Sequence, residues 1–79
     1  MRVGTVKEIK NHEYRVGLTP ESVEELVRNG HEVWVEKSAG LGIGASDAEY
    51  ERSGAKLIAT AAEVFAGCEM IVFFFHPLF

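Results

Sequence analysis

The run Met70-Ile71-Val72-Phe73-Phe74-Phe75 decides the fold class of this chain of 79 residues. A strand with one wet face alternates polar and apolar residues, whereas an unbroken apolar run is typical of a strand covered on both faces, as in parallel α/β sheets. The run therefore predicts a last strand that is buried on both faces. Because the sequence stops at Phe79, we expect the opening part of a larger α/β domain, whose last strand is covered by the chain itself or by a partner.

Strand and helix patterns alternate before this run. Apolar β-rich segments predict strands at 2–6, 31–36 and 55–59, while the polar stretch 7–18 has no clear period and predicts a loop. Helix starts are predicted at Thr19, which precedes a proline, and at the capping boxes that begin with Ser46 and Thr60. The alternation predicts one α/β domain over residues 1–79, with a parallel sheet of about four strands and three helices.

Composition excludes several classes of function. The net charge of -4 gives no footprint for nucleic acid or an anionic membrane, so neither is expected as a partner. Cys68 is the only cysteine, which predicts neither a disulfide framework nor a cysteine metal site, and no histidines stand at a metal-ligand spacing. The start of the chain lacks a secretory pattern, and no apolar run reaches the ~20 residues that span a bilayer. We expect a cytoplasmic protein without a metal.

The segment 40–45, Gly-Leu-Gly-Ile-Gly-Ala, fits the dinucleotide fingerprint G-x-G-x-x-G/A between a strand and a helix. Three residues, 37–39, loosen the tight turn that the fingerprint needs, and no acidic ribose ligand follows the next strand. A flexible glycine-rich surface loop explains the string equally well. We therefore predict no cofactor-binding residues here.

The segment 7–15 is a second candidate site, because it leaves the carboxyl end of the first strand, where ligands of open α/β sheets bind. Arg15 offers a planar fork of donors that suits a carboxylate. Two interpretations remain open. Either Arg15 binds a ligand, with Lys7 nearby, or it pairs with Glu8 or Glu13 and has no ligand.

Phe73, Phe74 and Phe75 form an aromatic run that suits a ligand-binding patch, a core strand or a dimer contact. Large aromatic side chains dominate cores and interfaces, which favours the last two. We predict that the three phenylalanines form an association surface for a homo-oligomer.

The sequence from Lys7 to Pro20, KEIKNHEYRVGLTP, together with Gly4, closely resembles the amino-terminal signature of alanine dehydrogenase, and the related transhydrogenase α subunit resembles it less closely. The match continues through Gly30-His31-Glu32-Val33, the glycine loop 39–44 and the stretch 61–65. The resemblance covers residues 1 to about 72.

Several expectations follow from the resemblance alone. Alanine dehydrogenases reversibly deaminate L-alanine to pyruvate with NAD, as hexamers of subunits in which the substrate domain precedes the nucleotide domain. The arginine that binds the substrate carboxylate in the family matches Arg15. The glycine loop belongs to the substrate domain, which agrees with rejecting it as the NAD fingerprint.

The chain departs from the family pattern at two places. Thr5-Val6 stands where the family usually has Val-Pro, and Val72-Phe73-Phe74-Phe75-His76-Pro77 stands where it has Val-Lys-Val-Lys-Glu-Pro. The position of the substrate-binding lysine is therefore Phe75, which can neither donate a hydrogen bond nor carry charge. The later catalytic residues and the nucleotide fold are absent from these residues.

The leading hypothesis is a truncated relative of alanine dehydrogenase that is catalytically inactive alone, has no catalytic residues, and binds no NAD itself. Two alternatives are a small carboxylate-binding or regulatory module, with pyruvate or L-alanine as ligand, and the substrate half of a split dehydrogenase.

Overall fold

The computed structural model describes residues 1–10 and 13–73. A four-stranded parallel sheet has the spatial order β5-β4-β1-β6, and a separate antiparallel pair consists of β2 and β3. Three α-helices complete the fold, which confirms the predicted α/β class with about four parallel strands. The elements in chain order are β1 Arg2–Thr5, β2 Glu8–Lys10, β3 Glu13–Arg15, α1 Pro20–Arg28, β4 Glu32–Glu36, α2 Asp47–Arg52, β5 Lys56–Ile58, α3 Ala61–Gly67 and β6 Met70–Ile71.

The sheet is the middle layer of three. One face carries α1 and α2, whose Val23 and Tyr50 are fully buried against Val33 and Val35 of β4. The opposite face carries α3, whose fully buried Val64 packs with a smaller cluster of apolar side chains. The predicted alternation of β4 is thus confirmed, because its valines face one layer while Trp34 faces the other.

The start and end of α1 follow the sequence signals. The Thr19 hydroxyl accepts a hydrogen bond from the Ser22 N–H, and Pro20 occupies the first turn, where its missing N–H costs nothing. Gly30 follows the helix with a φ of 89°. Its N–H bonds to the Val27 carbonyl and the next N–H bonds to the Leu26 carbonyl, which is the Schellman arrangement that favours glycine.

The other two helices also begin where capping boxes are predicted. At α2 the box is complete, because Ser46 and Glu49 exchange side-chain to backbone bonds in both directions. At α3 the Thr60 hydroxyl accepts from the Glu63 N–H and donates to the Glu63 carboxylate, so here the second bond joins two side chains. Both starts place an acidic residue in the first turn, where the helix dipole stabilises it.

Helix α3 packs closely on the sheet where β1 has a glycine. A Cβ built on Gly4 would lie 2.6 Å from a Val64 methyl and 2.7 Å from the Cys68 sulfur. The Cys68 thiol is half-buried, and desolvation by burial raises its pKa. Beside it, the Arg2 guanidinium lies 4.6 Å from the centre of the Trp34 ring.

The structure corrects the prediction that residues 7–18 form a loop. A hairpin lies within this segment, with Glu8 opposite Arg15, Ile9 opposite Tyr14 and Lys10 opposite Glu13. Strands of three residues with mixed polarity give little periodic signal, so the sequence pattern alone did not distinguish them from a loop.

Burial of the last strand on both faces stays a prediction, because the described part of the run is partly exposed within the chain and cover by a partner is the predicted alternative. Among the described residues, β6 is an edge strand of two residues whose one partner is β1, and the Met70 side chain is 47% exposed. Phe73 follows the strand and is 53% exposed. Phe74 and Phe75 lie outside the described residues. Within 1–10 and 13–73, no helix has the length and apolar character that crossing a bilayer requires.

Candidate functional site

A cleft opens at the carboxyl ends of β1 and β4, the end of a parallel sheet where ligands of this fold class bind. It encloses a cavity of about 280 Å³ lined by Lys7, Ser38, Leu41 and Gly42. One wall therefore begins at the residue that leads into β2, and the other is the glycine-rich segment. The sequence suggests two separate candidate sites, the segment 7–15 and the glycine loop. In the structure they are neighbours.

The hairpin is held beside this cleft by two sets of contacts. The Lys7 N–H donates to a carboxylate oxygen of Glu36 at 2.8 Å, which fixes the start of the hairpin to the end of β4. Strand β3 packs against the 3-10 turn Leu41–Ile43 of the glycine-rich segment. The backbone of Arg15, the last residue of β3, is therefore placed near this edge of the sheet.

Two residues fix the shape of the opposite wall. Ser38 adopts a φ of 67°, a left-handed conformation that is uncommon outside glycine, and its N–H donates to a carboxylate oxygen of Asp47 at 2.8 Å. Gly44 ends the 3-10 turn with a φ of 79°. The wall therefore relies on a strained serine that an α2 carboxylate holds in place.

Tyr50 supports the same wall from beneath. Its phenol is fully buried and donates to the Leu18 carbonyl at 2.7 Å, and burial raises its pKa to about 12. A Cβ on Gly40 would lie 2.5 Å from the Tyr50 ring and 2.7 Å from the Ala45 carbonyl oxygen. Gly40 thus allows the loop to pack on the core.

This packing bears on whether the glycine loop fits a dinucleotide. Gly40 makes room for Tyr50, and the loop leads into a helix of six residues whose first turn carries Asp47 and Glu49. Those carboxylates would repel a pyrophosphate at the helix N-terminus, which is where a dinucleotide needs positive charge. The glycine loop therefore does not suit the pyrophosphate of NAD.

The predicted site residues divide into two groups. The structure brings Lys7 and the backbone of Arg15 to the same edge of the sheet, whereas Phe75 lies outside the described residues. Phe73 lies at the exit of β6 and contacts Phe65 of α3, with ring centres 6.1 Å apart. In the part of the chain that the structure describes, no three His, Cys, Asp or Glu side chains lie close enough to hold a metal ion.

Sequence reasoning missed the residues that build the walls. Ser38, Glu36 and Asp47 act through backbone bonds between segments that are distant in sequence, and no local motif announces such contacts. The left-handed serine had only one indirect signal, its position in a segment where glycine recurs.

An open parallel sheet with helices on both faces and a cleft at the strand ends defines an open-sheet α/β domain. Comparison with known sequences then identifies the protein family. The chain belongs to the family described as alanine dehydrogenase/PNT, N-terminal domain, whose model matches residues 4–78.

Individual relatives agree with this assignment. The chain is 51% identical over 78 residues to the alanine dehydrogenase of Methanococcus maripaludis, covering 99% of this chain and 21% of that protein. It is 50% identical over 72 residues to the alanine dehydrogenase of Halomonas elongata, covering 91% of this chain and 19% of the relative. The chain thus spans about a fifth of the length of these relatives.

Solved structures show the same relationship. An L-alanine dehydrogenase superposes with a TM-score of 0.87 and 45% identity, over 92% of this chain and 20% of that one. A transhydrogenase from Sinorhizobium meliloti superposes with a TM-score of 0.81 and 38% identity, with the same coverage. The predicted family resemblance is confirmed.

Proposed function

We propose that this chain provides the first part of the substrate domain of an alanine dehydrogenase-like protein, and that Arg15 binds the carboxylate of pyruvate or L-alanine. The observation that carries the proposal is the position of the hairpin, whose β3 packs on the glycine-rich wall at the carboxyl edge of the sheet. The guanidinium of arginine suits a small anion, because it offers two parallel N–H donors to one carboxylate.

The position of Lys7, which the structure describes, also supports binding of a carboxylate. It lines the cleft, and its N–H is tied to Glu36, so the residue is fixed at the rim. The Lys7 ammonium would raise the local concentration of a small anion at the cleft. The cavity of about 280 Å³ is open and is large enough for a three-carbon acid.

We further propose that these residues bind the substrate without oxidising or reducing it. The family lysine position is Phe75, so the ammonium that would hold the substrate carbonyl is missing. Hydride transfer also requires a cofactor positioned against the substrate, and the glycine loop does not fit one. The NAD-dependent deamination of L-alanine is the reaction of the parent family, and here it would require parts beyond these residues.

Calorimetric titration with pyruvate and with L-alanine tests the proposal. We expect dissociation constants in the millimolar range, and a loss of about tenfold or more in Arg15→Lys, because the second hydrogen bond to the carboxylate is lost. Arg28→Lys is the matched control, since Arg28 is exposed on α1 and pairs with Glu24 and Glu25. It should leave the affinity unchanged.

Phe75→Lys is the complementary variant, and it should tighten pyruvate binding by restoring a donor. No heat with either ligand at millimolar concentration would overturn carboxylate binding. Equal losses in Arg15→Lys and Arg28→Lys would reject Arg15 as the binding group.

A further inference from the structure

The 3-10 turn Leu41–Ile43 carries two exposed apolar side chains, and they line different hollows. Leu41 is 64% exposed and lines the cleft, on the wall across from Lys7. Ile43 is 47% exposed and lines a separate hollow of about 380 Å³ at the start of α1. Among the described residues that line the cleft, Leu41 is therefore the one with an apolar side chain.

The backbone of Leu41 is fixed in both directions along the chain. Its N–H donates to the Ser38 carbonyl at 3.3 Å, and its carbonyl accepts from the Gly44 N–H at 3.1 Å. Beneath the turn, Gly40 packs on the Tyr50 ring with no room for a Cβ. The leucine side chain thus meets the cleft from a fixed backbone, which reduces the conformational entropy that a contact with a ligand costs.

Asp47 holds the residue on which this arrangement depends. Its carboxylate accepts from the Ser38 N–H at 2.8 Å, and the Ser38 carbonyl in turn accepts from the Leu41 N–H. The left-handed φ of 67° is unfavourable for a serine, so it persists because the surrounding bonds hold it. Asp47 therefore acts on Leu41 through Ser38.

We infer that Leu41 determines which carboxylic acids the cleft prefers, by contacting the carbon chain of the bound acid, and that Asp47 is the residue that positions it. This inference rests on the proposed binding of a carboxylate. Lys7 and Leu41 stand on the two walls of one open cavity of about 280 Å³. An acid whose carboxylate lies towards the hairpin therefore directs its other end to the leucine. The cleft suits a small 2-oxo acid with an apolar chain better than one with a polar chain.

The size of this preference follows from the cost of removing each kind of group from water. Apolar surface gains free energy when it leaves water, whereas a hydroxyl placed against an apolar side chain loses hydrogen bonds. 2-Oxobutyrate and 3-hydroxypyruvate form a matched pair of ligands, because they are similar in size and differ in a terminal methyl or hydroxyl group. Since the cleft is open and the contact partial, we expect 2-oxobutyrate to bind about fivefold more tightly.

Titration of the full chain with each acid, followed by amide NMR shifts, tests the inference through the ratio of the two dissociation constants. Leu41→Asn keeps the size of the side chain and removes its apolar character, so the ratio should fall from about five to about one. Leu41→Ala keeps only the first carbon of the side chain and should give an intermediate ratio. Ile43→Asn is the matched control, because it makes a similar change on the other side of the turn and should keep the parent ratio.

A further set of variants tests the positioning role of Asp47. Asp47→Asn keeps an oxygen that accepts from the Ser38 N–H and should keep the ratio, whereas Asp47→Ala removes the acceptor and should lower the ratio to about two or less. Glu49→Ala is the control for a weakened α2, because Glu49 closes the capping box with Ser46. Damage to the helix alone changes the affinity for both acids alike, so Glu49→Ala should keep the ratio.

Three results would overturn the inference while carboxylate binding stands. They are equal affinity of the parent for the two acids, equal changes of the ratio in Leu41→Asn and Ile43→Asn, and an unchanged ratio in Asp47→Ala. Arg15→Lys should weaken the binding of both acids by the same factor, so it tests the proposed function separately. If Leu41→Asn fails to fold by circular dichroism, Leu41→Ala decides. If neither acid binds at millimolar concentration, the proposed function fails and this inference fails with it.

Discussion

Two parallel strands of this sheet, β4 and β6, are both rich in apolar residues, yet their surroundings differ. β4 lies between β1 and β5, and its Val33 and Val35 are fully buried. In the part of the chain that the structure describes, β6 pairs on one side only, and its Met70 is 47% exposed. The difference shows that apolar composition determines which surroundings a strand suits, while its position in the sheet determines how much cover it receives.

The largest expected effect contrasts these strands directly. Val35→Ala removes two methyl groups from the centre of the larger core and should lower the free energy of unfolding by about 2–3 kcal/mol. Met70→Ala at the open edge should change it by less than about 0.5 kcal/mol in the monomer. Urea denaturation at a concentration where the chain is monomeric measures both, and similar losses at the two positions would contradict the contrast.

The second prediction concerns the pH dependence of stability that the buried Tyr50 causes on the covered side of the sheet. Its pKa is about 12 when folded, against an ordinary value of 10, so the stabilisation is complete below pH 10 and is lost as the pH rises towards 12. We expect the free energy of unfolding to fall by up to about 2–3 kcal/mol over this range. Tyr50→Phe lacks the titrating phenol and should show a flatter profile. Parallel profiles for the two proteins would reject a buried phenol.

The third prediction concerns the strained loop that follows β4. Ser38→Gly relieves the left-handed conformation at a φ of 67°, so it should stabilise the fold by about 0.5–1 kcal/mol after the extra chain entropy of glycine is subtracted. Ser53→Gly is the control, because Ser53 has an ordinary φ of -77° and should gain nothing. Thermal unfolding of both variants measures the difference, and a loss of stability in Ser38→Gly would argue against strain.

The smallest expected effect lies at the amino end of β4, on the exposed surface. The pKa of Glu32 is lowered chiefly because the Trp34 indole N–H donates to its carboxylate at 2.6 Å. The stabilisation that the Glu32 carboxylate contributes to folding is present above the pKa of Glu32 in the unfolded chain. It is lost as the pH falls through the lower pKa of Glu32 in the folded chain. An NMR titration should show the Glu32 pKa move back toward its ordinary value in Trp34→Phe. An unchanged pKa would exclude the indole as the main cause.

The fold was predictable where its signals are local. The caps at Thr19, Ser46 and Thr60 and the glycine after α1 specify helix ends within a few residues, and each lies where the sequence indicates. The hairpin was not predictable in this way, because its three-residue strands pair with each other and β3 packs against the 3-10 turn, a contact that the local sequence does not indicate.

The candidate site was predictable to a different extent. Arg15 is suggested by its chemistry and by the family, and its role in binding stays a prediction. The wall depends on Glu36 and Asp47, whose carboxylates accept N–H bonds from Lys7 and Ser38. Such bonds depend on distances in space that no sequence spacing encodes. The exposure of β6 follows from the neighbours of the strand, which the run itself does not describe.

The half-buried thiol of Cys68 gives this small domain a built-in chemical probe. Its sulfur is packed below Gly4 under the α3 layer, and its raised pKa keeps the reactive thiolate scarce at neutral pH. Alkylation of the half-buried thiol should therefore be slow in the folded domain and faster when α3 separates from the sheet, so the labelling rate responds to the opening of that layer. A single intrinsic cysteine can thus time a local unfolding event without an added label.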